Sequence, residues 1–190
     1  MKLLLLLSLL ISTYAFSSGG NCKVTIDSDD IELKWTGYKF PGEDKKGVSG
    51  TLRNLGVEDS YSGESLEAIL KGLKFNIDSR SVWSRNSMRD ARLVKFFFGK
   101  MVTTMIKGNI VDLKGDKLIV KLNMNGLTKN IELKVTRKGK RFKAIGVIDI
   151  LDFGMNKSLA AINKECFDLH KGKTWSDVEV QLLLSHGKDC

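Results

Sequence analysis

The chain has 190 residues, 42% hydrophobic and 28% charged, with a single proline. That composition describes one folded domain and excludes intrinsic disorder, a fibrous repeat and a multidomain assembly. A formal net charge of +9 would suit a nucleic-acid binder, but the N-terminus argues for another partner.

That terminus, "MKLLLLLSLLISTYA", has Lys2, an apolar run from Leu3 to Ile11, and small residues at Thr13 and Ala15. The pattern predicts a secretory signal over residues 1–15, too short to span a bilayer. The mature domain is then residues 16–190, periplasmic or secreted. An exported protein seldom meets nucleic acid, so no nucleic-acid partner is expected. An anionic membrane surface suits the charge better, and a homodimer is compatible with it.

Next come runs of alternating apolar and polar residues. "VTIDSDDIELKW" alternates in two pieces, with Ile31, Leu33 and Trp35 on one face and a carboxylate-rich turn at Asp27–Asp30 between them. "GVSGTLRNLG" sets Val48, Gly50 and Leu52 together, and "ILKGLKFNID" does so for Leu73, Phe75 and Ile77. "SMRDARLVKFF" is predicted helical, with Ser87 and Asp90 spaced as a capping box. "MVTTMIKGNIVDL" and "KLIVKLNM" are strands. Asn125-Gly126 then predicts a tight hairpin turn into "NIELKVTR". Its register places Leu122, Met124, Ile131, Leu133 and Val135 on one face. "RFKAIGVIDI" follows as a strand. "SLAAINKECFDLHKG" is predicted helical, ending at Gly172, with Leu159, Ile162, Cys166 and Leu169 on its apolar face. "DVEVQLLLS" closes the domain with Val178, Val180, Leu182 and Leu184 aligned.

Roughly eight strands joined mostly by short turns predict an all-β, antiparallel sheet. Two helices are too few to cover it, so it must cover itself as a barrel or a sandwich. Glycines at 37, 50, 72, 108 and 146 suit the bends of a barrel. In a closed barrel the first strand starts beside the end of the last. That favours a Cys22–Cys190 disulfide, with Cys166 left as a free buried thiol.

Catalytic chemistry finds little support. His170 and His186 have no metal-ligand neighbours at a recognised spacing. No nucleophile elbow or phosphate loop is present, so no catalytic residue, metal or redox cofactor is expected. Arg85, Arg89 and Arg92 are spaced four and three apart; on one helical face they would present guanidinium groups to phosphate. The inward strand residues Trp35, Leu73, Phe75, Ile106, Leu122, Met124 and Leu133, with Phe96, Phe97 and Phe153, are candidates to line a channel. The residues themselves leave two readings open: a barrel filled by its own side chains, or one that holds a small ligand.

Three stretches together resemble the YceI-like polyisoprenoid-binding family. They are the hairpin "NMNGLTKNIELKV", the segment "FNIDSRSVWSRNSMRDARLVKFFF" and "ILDFGM". The second carries Ile77-Asp78, Ser81-Val82, Arg89-Asp90, Leu93 and Phe96-Phe97 in the family's order, and the third carries Asp152-Phe153-Gly154. The resemblance runs from about residue 23 to 185. It implies an eight-stranded, lipocalin-like barrel with one or two short flanking helices. It also implies an apolar channel for a long isoprenoid chain with a phosphate or quinone head. The function so implied is carriage or storage of that lipid. The alternative is an envelope scaffold with a self-filled barrel, docking a partner through residues 156–175.

Overall fold

The computed structural model describes residues 22–189. The signal predicted over residues 1–15 and the cysteine at 190 lie outside the described residues. The described chain forms β1 (Lys23–Asp27), β2 (Ile31–Lys39), β3 (Lys46–Leu52), β4 (Ser60–Gly63), α1 (Leu66–Leu70), β5 (Lys74–Asp78) and β6 (Val82–Trp83). It continues with α2 (Ser87–Arg92), β7 (Met105–Lys114), β8 (Lys117–Met124), β9 (Leu127–Lys138), β10 (Arg141–Asp149), α3 (Asn156–Glu165), β11 (Thr174–Ser185) and β12 (Gly187–Asp189).

One curled antiparallel sheet runs in the order β5-β7-β8-β9-β10-β11-β2-β3-β6. Its edges meet just after β3, where the amides of Asn76 and Asp78 donate to the carbonyls of Leu55 and Asn54 (3.1 and 3.3 Å). The predicted barrel class is therefore present, with a different strand count. The large sheet has nine strands, because the two-residue β6 adds to its edge. β1 is not among them. It pairs with β4 and β12 in a separate three-stranded sheet. The cause is the carboxylate-rich turn, a 3-10 turn at Ser28–Asp30. Its Ser28 amide is bonded to the Asp59 carbonyl (2.8 Å), which directs β1 away from β2.

That small sheet and α1 plug one end of the barrel. Ser65 caps α1 by accepting from the Ala68 amide (3.1 Å), a Ser role expected at such a start. Ile26, Leu70, Leu118 and Phe142 are at most 1% exposed there. Burying each such side chain contributes about 1.5–3 kcal/mol. The other end is covered by α2, a π-helical turn at Leu93–Phe97, and α3. Here the predicted cap is corrected. Asn86, not Ser87, caps α2, accepting from the Arg89 amide (2.9 Å). Asp90 instead accepts from the Ser84 amide (3.0 Å) and from the Ser84 hydroxyl.

The hairpin forms as its sequence demands. Asn125 and Gly126 have φ of 54° and 82°, the pair of positive values that matches the twist of adjoining strands. Met124 faces Leu127 across the turn. The Asn125 side chain also accepts from the Val102 amide (2.7 Å) and donates to the Phe153 carbonyl (2.9 Å). One residue thus shapes the turn and pins its tip to two other segments.

Candidate functional site

Between the plugged end and the helical end lies a cavity of about 440 Å³. That volume falls within the roughly 300–1,000 Å³ of small-molecule sites. Its wall is built by strand parity. Leu122 and Met124 on β8 and Leu133 on β9 face it, as do Ile106 on β7, and Val178, Val180 and Leu182 on β11. Several inward side chains are only half-buried, among them Leu33, Trp35, Phe75, Ile131, Val180 and Leu182. In a barrel packed to ordinary interior density these would be closed off. Here they border unfilled space.

Two strand glycines keep that space open. Trp35 and Gly50 are cross-strand partners on β2 and β3. A Cβ at Gly50 would stand 2.5 Å from Trp35 Cζ2 and 2.7 Å from the Trp83 carbonyl oxygen. The indole therefore lies flat against the bare backbone, its Nε1 donating to the Thr51 carbonyl (3.4 Å). Phe75 and Gly108 repeat the arrangement across β5 and β7. Both rings line the cavity. Gly50 and Gly108 thus serve as seats for rings.

Polar wall groups gather at the helical end. They come from Tyr38 and Lys39 at the end of β2, Asn86, Arg89 and Arg92 of the α2 region, and His170 and Thr174 before β11. Asn86 and Leu169 line the cavity and are also solvent-exposed, which locates its mouth. Arg89 is held in place: Nε donates to Ser84 Oγ and Nη2 to the Ser84 carbonyl, both at 2.7 Å. Arg92 Nε sits 3.4 Å from Glu165 Oε1, bracing the α2 region against α3. His170 Nδ1 is 2.8 Å from Thr174 Oγ1. Burial, and secondarily the Lys39 charge, hold its imidazole below the usual histidine range, so the neutral ring is favoured. Cys166 is a free buried thiol on the cavity wall. Burial pushes its pKa up, against a smaller downward pull from Arg92. Among the described residues the arrangement is an apolar chamber with cationic and hydrogen-bonding groups gathered at its helical end. It suits an amphiphile with its head at the mouth.

Of the residues proposed from sequence for the channel, Trp35, Leu73, Phe75, Phe97, Ile106, Leu122, Met124 and Leu133 line the cavity. Phe96 and Phe153 do not. The wide turn at Leu93–Phe97 places Phe97 inward and leaves Phe96 outside, where Lys95 Nζ lies 5.0 Å from its ring. Phe153 belongs to a 3-10 turn, Ile150–Phe153, beyond the reach of strand parity. It is 1% exposed inside the adjoining core with Ile150 and Met155. Among the arginines, Arg89 and Arg92 reach the wall and Arg85 does not. Arg85 precedes α2 with φ of 63°, so it leaves the helical face and lies 5.5 Å from the Trp83 ring. Sequence reasoning missed Lys39, Thr174 and Trp175 at the mouth. They lie outside any motif; the only signal was their place at the strand ends nearest the predicted helices.

The cysteines divide as follows. Cys22 is disulfide-bonded, Cys166 is free, and Cys190 lies outside the described residues. β1 and β12 run antiparallel with Lys23 opposite Asp189.

The profile of the YceI-like domain matches residues 19–185. No curated protein matches the chain. Solved structures give the fold. A polyisoprenoid binding domain from Saccharophagus degradans, implicated in plant cell wall breakdown, superposes with a TM-score of 0.54 at 15% identity, over 87% of this chain and 98% of its own. BcnA of Burkholderia cenocepacia superposes with a TM-score of 0.59 at 12% identity, over 85% of this chain and 99% of its own.

Proposed function

The chain belongs to the YceI-like family, and from that premise we propose that it is an exported binding protein holding one long amphiphile in its barrel. The ligand class is a polyisoprenoid with a phosphate or quinone head, held for carriage or storage. One observation carries the reading: an apolar cavity of about 440 Å³ whose polar wall groups gather at its helical end. Apolar area removed from water contributes about 25 cal/mol per Å² before ordering costs. A long hydrocarbon chain therefore binds without any sharp motif. Arg89, fixed by Ser84, and Arg92 face the end where a charged head would sit. The likeness to a polyisoprenoid binding domain supports the choice of lipid, and the apolar run at the N-terminus supports export. No step of this reading requires catalysis.

The test is native purification from the envelope fraction, solvent extraction and mass spectrometry of the extract. A stoichiometric isoprenoid lipid is expected. Recovery of a protein whose extract contains no amphiphile, and which takes up none from a lipid mixture, would overturn the reading.

A further inference from the structure

We propose that the mouth of the barrel docks on the surface of an anionic lipid bilayer. The proposal rests on the amphiphile reading above, because the bilayer is the source and destination of such a ligand.

Charge placement comes first. Three segments, residues 39–46, 84–100 and 164–173, each contribute wall residues at the helical end, among them Lys39, Arg89, Arg92 and His170. They hold eleven lysines and arginines against five carboxylates, a surplus of six out of a whole-chain charge of +9. The basicity of the protein is thus concentrated around its opening. The segments are also physically joined. The Phe40 amide donates to the Lys173 carbonyl (3.2 Å), and Trp175 Nε1 donates to the Phe40 carbonyl (2.7 Å). Arg92 bridges to Glu165 (3.4 Å).

The second observation is the pairing of cations with rings. Lys39 and Lys171 stand 4.9 and 5.1 Å from the Phe40 ring, and Lys45 and Lys173 stand 4.5 and 4.7 Å from that of Trp175. Lysine ammonium groups paired with aromatic rings suit the headgroup level of a bilayer, where rings meet hydrocarbon and ammonium groups meet phosphate.

The third is exposed apolar side chains beside the opening. Met88 is 67% exposed on α2, and Phe167 and Leu169 are 57% and 55% exposed after α3. Leu169 itself lines the mouth, and Met88 shares α2 with the lining residues Arg89 and Arg92. An acidic protein would match the charge but not these scattered apolar tips. A lipid surface matches both.

Vesicle flotation tests this, using phosphatidylcholine vesicles with and without phosphatidylglycerol. Binding is expected only with phosphatidylglycerol, and it should weaken as salt rises. Each lysine near an anionic surface contributes roughly a fivefold change in partition. Replacing Lys95, Lys100, Lys171 and Lys173 with Gln should therefore lower partitioning more than a hundredfold. The matched control replaces Lys74, Lys107, Lys121 and Lys134, which lie on the outer wall of β5, β7, β8 and β9, away from the mouth. It removes the same charge and should change partitioning by only a few-fold. Phe167→Ser with Leu169→Ser should abolish the binding that survives high salt. Thermal midpoints near that of the parent show that each variant is folded.

Equal loss in both lysine sets would overturn the proposal, since bulk basicity would then suffice. So would binding to soluble polyglutamate as tight as to vesicles and indifferent to Phe167 and Leu169, which marks an acidic protein partner. Lipid content measured on the same samples separates the two readings. Bound lipid without vesicle binding refutes docking alone. Vesicle binding without bound lipid leaves docking in place and refutes the carrier reading.

Discussion

Replacing Gly50 with Ala should push Trp35 off its seat. The added methyl carbon would stand 2.5 Å from Trp35 Cζ2, 2.8 Å from Cε2 and 2.7 Å from the Trp83 carbonyl oxygen. That carbonyl is backbone beside the Thr51–Trp83 pairing of β3 with β6, so it yields little. The indole must swing towards the cavity, losing its bond to the Thr51 carbonyl. Overpacking of this kind costs about 1–3 kcal/mol. At about 2–4 °C per kcal/mol for a domain of this size, the thermal midpoint should fall by roughly 2–12 °C. The displaced ring also occupies chamber volume, so bound lipid per chain should fall. Calorimetry and quantitative extraction read the two effects. A Trp35→Leu background provides the check: without the indole, Gly50→Ala should cost less, with a coupling of about 0.5–3 kcal/mol. An equal cost in both backgrounds, or an unchanged midpoint in the single variant, would refute the seat.

Three further outcomes are expected. Asn125→Gly keeps the positive φ but removes the bonds to Val102 and Phe153; urea denaturation should show a loss of about 1–3 kcal/mol, and Asn125→Ala about 1–2 kcal/mol more from left-handed strain. His170 has a folded pKa below its usual value, so the unfolded chain takes up that proton first as pH falls. Stability should be full above about pH 6.5 and decline below it until the folded ring also titrates; His170→Gln should flatten that slope in denaturation curves taken across the range. Non-reducing peptide mapping should link Cys22 to Cys190 and leave Cys166 alkylatable after unfolding, and Cys22→Ser should cost about 2–4 kcal/mol. A linkage through Cys166 would contradict the assignment.

The parts legible in the sequence were those with a strict period. β8 alternates buried Leu118, Val120, Leu122 and Met124 with wet-face residues, because one side meets the barrel interior and the other meets solvent. The hairpin was legible because two successive positive φ values leave few residue choices. β4, β6 and β12 escaped notice: "SYSG", "VW" and "GKD" are too short to show a period. Phe96 and Phe153 were misplaced where the backbone leaves regular geometry, at a π-helical turn and a 3-10 turn. The seat of Trp35 on Gly50 depends on the β2–β3 register, which neither strand specifies alone. The mouth unites Lys39, Arg89, Arg92, His170 and Thr174, residues far apart in the chain that only barrel closure brings together.

The unfilled chamber has a mechanical consequence. Unfolding eliminates internal voids, and the associated volume change, commonly about −20 to −100 mL/mol, scales with the void removed. A chamber of about 440 Å³ with an almost wholly apolar wall adds to that change to the extent that neither lipid nor water fills it. Hydrostatic pressure should therefore unfold the protein more readily when the chamber holds no lipid. A hydrocarbon chain threaded into the same space removes the void and with it the susceptibility. Resistance to pressure becomes a label-free gauge of how much of the protein in a preparation is loaded.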